Sequence, residues 1–260
     1  MKPEADADPI ALREERHQHI LELLGSEGRV LATDLSSRYS VSGDTIRRDL
    51  RELAHSGKIQ RVHGGALPRR AEAVPFVSRE QIDIESKTGI ARAAADMIRD
   101  GQGVLIDGGT TNLRIGSYLS GKRAVTIVTN SPPLALALAD HPKVSVLMLG
   151  GNFLKEARVT TGIETIRAIE SIRADLCFLG MCSLHPEVGI TAGDREEAHV
   201  KKAMIGASRE VVGLISVAKM GTSLPYFVGA ACRLTRLITD ASNEDVLNPY
   251  RSQGIEVTST

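Results

Sequence analysis

The chain has 260 residues, 42 % of them hydrophobic, and its 32 Lys plus Arg are matched by 32 Asp plus Glu, so overall charge points to no polyanionic partner. That length suits a small domain plus a medium one, and a 25 % share of charged residues is ordinary for a soluble protein. No apolar run approaches the roughly 18 residues of a membrane span, and the first residues, MKPEADADPI, are acidic where a secretory signal is basic and then apolar. Three cysteines (Cys177, Cys182 and Cys232) supply neither a paired metal spacing nor a disulfide framework. The expectation is a reduced, cytosolic protein with no cofactor, no metal and no membrane partner.

Between Pro9 and Leu24, Ile10, Leu12, Ile20, Leu21, Leu23 and Leu24 stand among polar residues, predicting an amphipathic helix closed by Gly25. After the polar link SEGRV, Thr33 and Asp34 are expected to cap a brief helix, DLSSRY, that ends near Ser40. Ser42 is the expected N-cap of a third helix, from about Gly43 to His55 and stopped by Gly57. At ~100° per residue, Ile46, Leu50 and Leu53 of that helix fall within about 60° of one another. Arg47, Arg48 and Arg51 fan across the opposite side, with Asp44 among them. Such arginines also make an ordinary solvated face, with Asp49 and Glu52 placed to pair with them locally. The turn between the second and third helices has the length of a helix-turn-helix. The following KIQRVHGGALPRR reads as two short strands around His63-Gly64-Gly65, a wing. From Arg29 to Arg70, nine basic residues stand against four acids, so the positive excess that the whole chain lacks is concentrated in one segment. In a winged helix the third helix enters the major groove, where guanidinium groups match guanine edges and phosphates.

The pattern then changes. Residues 69–86 show no clean period and read as a linker, with a short helix near its end, between a winged helix-turn-helix domain at 9–68 and an α/β domain at 87–260. An alanine-rich helix is expected over Lys87–Ile98. Apolar runs follow at Val104–Ile106, Val125–Val128, Val144–Leu149, Leu176–Leu179, Val211–Ile215 and Leu234–Ile238. Helical patterns lie between several of them, at Asn112–Leu119, Leu134–Ala139, Ile163–Ile172 and Glu196–Ala207. Interleaved strands and helices predict a largely parallel sheet, with ligands bound beyond the carboxyl ends of its strands. The loops there are IDGGTTN (Ile106–Asn112), VTNS (Val128–Ser131) and LGGN (Leu149–Asn152), with Lys219 in SVAKMG. Glycines, hydroxyls and one fixed cation at successive strand ends suit a phosphorylated, hydroxyl-rich molecule. Taken singly, each is a common turn or cap.

The run LLGSEGRVLATDLSSRYSVSGDTIRRDLRELAHSGKIQRVHGGA resembles the amino-terminal winged helix of the DeoR family of bacterial transcriptional regulators, through TIRRDL with RVHGGA downstream. The resemblance continues over nearly the whole chain. It implies groove contacts by Ser42, Thr45, Arg47, Arg48 and Arg51, with Arg61 and His63 in the wing. It further implies a carboxy-terminal sensor related in fold to ribose-5-phosphate isomerase and CoA-transferase enzymes. Sugar phosphates are that family's usual effectors, and motif matching puts Asp107, Gly109, Thr110, Thr111, Thr129, Asn130, Gly150, Gly151 and Lys219 around the site. Asp194 and Glu196 are open to two readings, contact with sugar hydroxyls or helix capping. Two departures stand out: Ser216-Val217-Ala218-Lys219-Met220-Gly221 where the family commonly has Asp-Ser-Ser-Lys-Phe-Gly, and Gly180-Met181-Cys182-Ser183 where Gly-x-x-Gly is frequent. The expected function is a repressor of carbohydrate metabolism genes, holding a double-stranded operator as a homo-oligomer (dimer or tetramer) under control of a phosphorylated sugar or polyol. The rival is a sugar-phosphate isomerase-like enzyme with an appended basic domain, for which Asp107 is the surviving acid. A non-specific RNA binder is disfavoured by the 3 % aromatic content.

Overall fold

The computed structural model describes residues 13–27, 30–56, 58–62, 64–68, 75–119, 121 and 123–260. The chain divides into two compact units, residues 1–72 and 73–260.

The first unit runs α1 (Arg13–Glu27), β1 (Val30–Leu31), α2 (Ala32–Arg38), α3 (Gly43–His55), β2 (Ile59–Val62) and β3 (Gly65–Pro68). Ile20, Leu24, Leu35, Ile46, Leu50, Leu53 and Ile59 form its core. Gly25 does not end the first helix, which continues to Glu27. Nor do Thr33 and Asp34 cap the second. Val30 and Leu31 pair with Ala66 and Gly65 of β3, so the chain passes straight from strand to helix with Leu31 as the N-cap and no side-chain cap. The third helix keeps its expected bounds, and Ser42 Oγ accepts from Thr45 N at 3.1 Å. Gly57 lies outside the described residues. The strands β2 and β3 pair antiparallel as the wing, Arg61 opposite Ala66.

Asp49 turns inward rather than toward its neighbouring arginines. It is 2 % exposed and is gripped by Arg16 of α1, Nε to Oδ2 at 2.6 Å and Nη2 to Oδ1 at 3.1 Å, with His17 Nε2 at 3.1 Å. This bidentate pair locks α3 to α1.

The second unit opens with α4 (Phe76–Glu80), α5 (Ile84–Met97), β4 (Gly103–Ile106) and α6 (Thr110–Ile115). Next come β5 (Val125–Thr129), α7 (Pro132–Ala137), β6 (Val144–Met148), β7 (Asn152–Leu154), β8 (Val159–Thr161) and α8 (Ile163–Glu170). Then follow β9 (Ala174–Gly180), β10 (Ser183–His185), β11 (Gly189–Ala192), α9 (Arg195–Gly206) and β12 (Ser208–Leu214). The unit closes with β13 (Tyr226–Gly229), β14 (Arg236–Thr239), α10 (Glu244–Arg251) and β15 (Glu256–Ser259).

Seven strands form a parallel sheet in the order β15-β14-β12-β9-β4-β5-β6. Strand alternation sends Val104 and Ile106 into one core with Ile90 and Ala94 of α5, and Leu105 into the other with Ala198 and Met204 of α9. From β4 the chain steps outward to β5 and β6, then crosses back to β9 on the other side of β4. The switch in direction therefore lies between β4 and β9, where open sheets of this kind bind ligands. Six expected strands are present, with shifted ends. The β7–β8 hairpin, the small sheet β10-β11-β13, α10 and β15 are additions. The stretch read as a connector holds α4 and the start of α5, and Phe76 within it is buried.

Candidate nucleic-acid face and anion site

On α3 the buried face is Ile46, Asp49, Leu50 and Leu53, while Arg47, Arg48 and Arg51 are exposed. Arg47 pairs with Asp44 at 2.5 Å and Arg48 with Glu52 at 3.4 Å, both at the surface, where such pairs are weak and exchange readily. Among the described residues Arg51 has no carboxylate partner. Ser42 and Thr45 hydroxyls sit 2.9 Å apart at the start of the helix, and Arg61 is exposed on β2. His63 lies outside the described residues. One helix thus presents a row of guanidinium groups beside a two-stranded wing.

In the second unit Asp107 follows β4 at the switch point. Its carboxylate is 1 % exposed and engaged on both oxygens. Oδ1 accepts from Gly108 N at 2.8 Å, and Oδ2 accepts from Gly180 N at 3.1 Å and from Lys201 Nζ. Lys201, reaching in from α9, also donates to Gly180 O at 2.7 Å and pairs with Glu197 at 3.1 Å. Burial pushes the Asp107 carboxyl up, and Lys201 pulls it back. Burial likewise opposes the Lys201 charge, but Asp107 and Glu197 hold its ammonium above the usual lysine range. With two backbone N–H groups also donating to the carboxylate, the pair stays ionised. A Cβ at Gly180 would stand 2.4 Å from Gly108 O, so glycine is what lets the two strand ends close on each other.

The remaining expected residues divide by accessibility. Thr110, Thr129 and Asn130 are buried with Asp107, whereas Gly109, Thr111 and Lys219 are half-buried and Gly150 and Gly151 exposed. Gly109, at φ 119°, makes the turn into α6 that a side chain would strain. Thr129 Oγ1 accepts from Ser131 N at 3.1 Å, and Asn130 Nδ2 donates to Thr160 O at 3.1 Å, tying β5 to the hairpin. Two buried amide oxygens, Asn112 Oδ1 and Asn130 Oδ1, have no partner among the described residues. Lys219 Nζ lies 3.5 Å from the carbonyl oxygen of Met181, the residue after β9. Gly150 is joined instead to α8, its carbonyl accepting from Thr165 Oγ1 at 2.5 Å.

The larger surprise is a group of cations contributed by segments that showed no motif. Lys87 Nζ donates to the carbonyls of Arg79 and Ile82. Arg114 Nη2 donates to Glu80 O at 3.3 Å and Arg79 Nη2 to Glu156 O at 3.1 Å. Arg79 and Arg158 both lie over the Phe76 ring, at 5.6 and 4.9 Å. Burial holds Lys87 below the ordinary lysine range, with Lys219, Arg114 and Arg79 adding to the effect. Lys219 is depressed chiefly by burial as well, with Arg79 and Lys201 contributing. Among the described residues none of these cations has a carboxylate within ion-pair distance. Asp83 and Arg158 hold left-handed backbone at φ 49° and 53° beside this cluster, a strain that side chains avoid unless the surroundings impose it. Carbonyls take up several of these donors, Arg79 Nε is left buried without a partner among the described residues, and Asp83 is the acid that acts on both lysines from outside ion-pair distance, so the arrangement is suited to a small anion. One signal was readable: Lys87 opens the series Lys87, Ile90, Ala91, Ala94, a charge inside an apolar helical stripe.

Asp194 caps α9, accepting from Glu197 N at 2.9 Å, and Glu196 is exposed 4.0 Å from His199, so capping is what Asp194 does. Burial and the neighbouring Glu197 push the Cys182 thiol up, away from the thiolate that a reactive cysteine needs. His17, Asp49 and Glu52 offer ligand atoms within 4.8 Å of one another, but Arg16 on Asp49 and Arg13 on Glu52 (3.0 Å) already supply the positive charge there.

Comparison with known proteins places these observations. The family model of the DeoR-like helix-turn-helix domain matches residues 16–69, and that of the DeoR C terminal sensor domain matches residues 82–241. The HTH-type transcriptional regulator GolR of Listeria innocua is 31 % identical over 246 residues, covering 94 % of this chain and 97 % of the relative. The glycerol-3-phosphate regulon repressor of Escherichia coli is 32 % identical over 228 residues, covering 87 % of this chain and 90 % of that protein. Among solved structures, ribose 5-phosphate isomerase A of Methanocaldococcus jannaschii aligns with 53 % of this chain and 55 % of its own at 14 % identity and a TM-score of 0.39.

Proposed function

Because the chain belongs to the DeoR family of transcriptional regulators, we propose that it represses carbohydrate metabolism genes and that a phosphorylated sugar or polyol controls its grip on the operator. One observation carries this reading. A helix buried through Ile46, Leu50 and Leu53 displays Arg47, Arg48 and Arg51 beside a wing, while a separate unit gathers cations that have no ion-paired carboxylate among the described residues, at the switch point of a parallel sheet. The first suits a duplex and the second a compact anion. Arg47, Arg48 and Arg51 would contact bases or phosphates, with Ser42, Thr45, Arg61 and His63 at the margins. Lys219, Gly109, Thr111, Lys87 and Arg79 would receive the phosphate, over a frame set by Asp107, Thr110, Thr129, Asn130, Gly150 and Gly151.

A single winged helix makes few contacts, so two or more copies would share repeated or inverted half-sites. No helix among the described residues is long and apolar enough to cross a membrane, and we place the protein in the cytosol. An isomerase role is disfavoured because it needs a carboxylate free to take a proton, whereas Asp107 is sealed and bound to Lys201. The test is an operator selected from random duplex DNA. Arg47→Ala and Arg48→Ala should each weaken its binding at moderate salt, and unchanged affinity would remove α3 from the groove.

A further inference from the structure

The exposed stripe of α3 has an acid at its centre. At ~100° per residue, Asp44 stands about 20° from Arg51 and about 40–60° from Arg48 and Arg47. A carboxylate there faces the same phosphates that the arginines attract, which is costly unless it has a partner of its own. The Arg47 side chain folds back toward the helix start to meet it. Its Nε and Nη2 both donate to Asp44 Oδ1, at 3.2 and 2.5 Å. Among the described residues that leaves Asp44 Oδ2 without a bond and the Nη1–Nη2 end of the guanidinium fork facing outward with donors to spare. Gly43 gives this fold-back its room. A Cβ added there would stand 3.6 Å from Arg47 Nη1, 3.8 Å from Nη2 and 3.9 Å from Cζ, so the guanidinium fills the space into which a longer side chain would grow. The backbone does not call for glycine, since residue 43 is not among those with positive φ.

We infer that Asp44 and Arg47 read one G·C base pair as a single unit, Asp44 accepting from the cytosine amino group while the open end of Arg47 grips the guanine. The inference rests on the placement of α3 in the major groove proposed above, and it makes Asp44 a specificity-determining residue. Residues at the amino-terminal end of such a helix are the ones that meet base edges. Across a G·C pair the major groove offers, in a row, the guanine N7 and O6 acceptors and the cytosine N4 donor. A guanidinium end beside a carboxylate is the complement of that row, two donors and then one acceptor. On an A·T pair the same row sets a donor against the adenine amino group, or leaves one facing the thymine methyl group, so at least one bond is lost. In water a surface pair like Asp44–Arg47 is weak. Between base edges, where water is displaced, a carboxylate without a donor is costly, and that cost is what rejects the wrong pair.

The test selects operators from random duplex DNA with the parent, Asp44→Ala, Arg47→Ala and the double variant, and reads the preference among the four base pairs at each position. Both single variants should relax the same G·C position, each by roughly ten-fold. The double variant should lose no more there than Arg47→Ala alone, as expected of two groups that act together. Asp44→Ala should at the same time bind bulk duplex more tightly, because a negative charge facing phosphates is gone, and Arg47→Ala should bind it more weakly. Gly43→Leu keeps both groups but takes the guanidinium's place, and it should relax the same position. Removing an acid from a first turn costs some helix stability, but a ratio among bases is unmoved by it. An Asp44→Ala protein with the parent's preferences at every position, or one that relaxes a position Arg47→Ala leaves intact, overturns the paired reading and leaves α3 in the groove. A parent that selects no sequence, or Arg47→Ala and Arg48→Ala proteins that hold the parent's operator unaltered, overturns the groove assignment and the pair with it.

Discussion

Two cationic surfaces, one in each unit, are made in opposite ways. On α3 the guanidinium groups are exposed and partly answered by Asp44 and Glu52, so they trade partners at little cost. In the sensor Lys87, Lys219, Arg79 and Arg114 are drawn inward, burial lowers the two lysines, and the four find backbone carbonyls but no carboxylate within ion-pair distance among the described residues. The first suits a long polyanion that brings its own counterions. The second suits one compact anion, for which enclosure and a fixed charge supply selectivity. Beneath each surface lies a buried ion pair, Arg16–Asp49 or Lys201–Asp107, that carries no ligand but fixes the elements that do.

The largest effects should come from breaking those hidden pairs. Lys201→Met leaves Asp107 as a buried charge facing only N–H donors and should cost about 3–5 kcal/mol in urea unfolding. The Lys201→Met, Asp107→Asn double variant should recover much of that loss. Next in size is the sensor's ligand. A phosphorylated effector present at about 100 times its dissociation constant should stabilise the protein by roughly 2.7 kcal/mol, and Lys219→Ala should abolish the thermal shift while sparing operator binding. Operator binding should show the reverse. Arg47→Ala, Arg48→Ala and Arg51→Ala should each cost about 1–3 kcal/mol where they read a base, or lower the salt slope by about 1 where they hold a phosphate. None should alter the effector's thermal shift.

The smallest and most discriminating effect is that of pH. Lys87 and Lys219 lie below the usual lysine range, so they lose their charge before ordinary lysines as pH rises. Effector affinity should therefore decline on the alkaline side while guanidinium-held DNA remains bound, because arginine stays protonated. On the acidic side effector affinity should also fall, as the phosphate takes up its second proton near a pKa of about 6. Calorimetric titration of effector beside operator binding across this range would separate the two surfaces. Parallel pH profiles would show that they are not distinct in kind.

The sequence exposed these two surfaces unequally. The face of α3 was legible because one short helix carries both its apolar stripe and its arginines, with Ser42 at the start to fix the phase. The alternation of strands and helices, and hence the strand-end loops, was legible for the same local reason. What escaped was long-range. Asp107 reads as a ligand group until Lys201, distant in sequence, is found against it, and no spacing rule reveals on which side of a strand end a carboxylate will fall. Arg79 and Arg114 sit in stretches whose own pattern is unremarkable, and they matter only because α4 lies against α6. Thr33 and Asp34 looked like caps because the strand pairing of Val30 and Leu31, which moves the cap to Leu31, is made with residues downstream. Lys87 and Lys201 shared a usable clue, a charge on the buried side of a helix.

The ammonium of Lys87 holds the carbonyls of Arg79, in α4, and of Ile82, just past it, near the start of the second unit. Under the proposed reading that lysine would have two clients, this turn and the anion received beside Lys219. A phosphate competing for the same proton donors would loosen that turn, so occupancy of the site would be felt first at the end of the second unit that is nearest in sequence to α3 and its arginines.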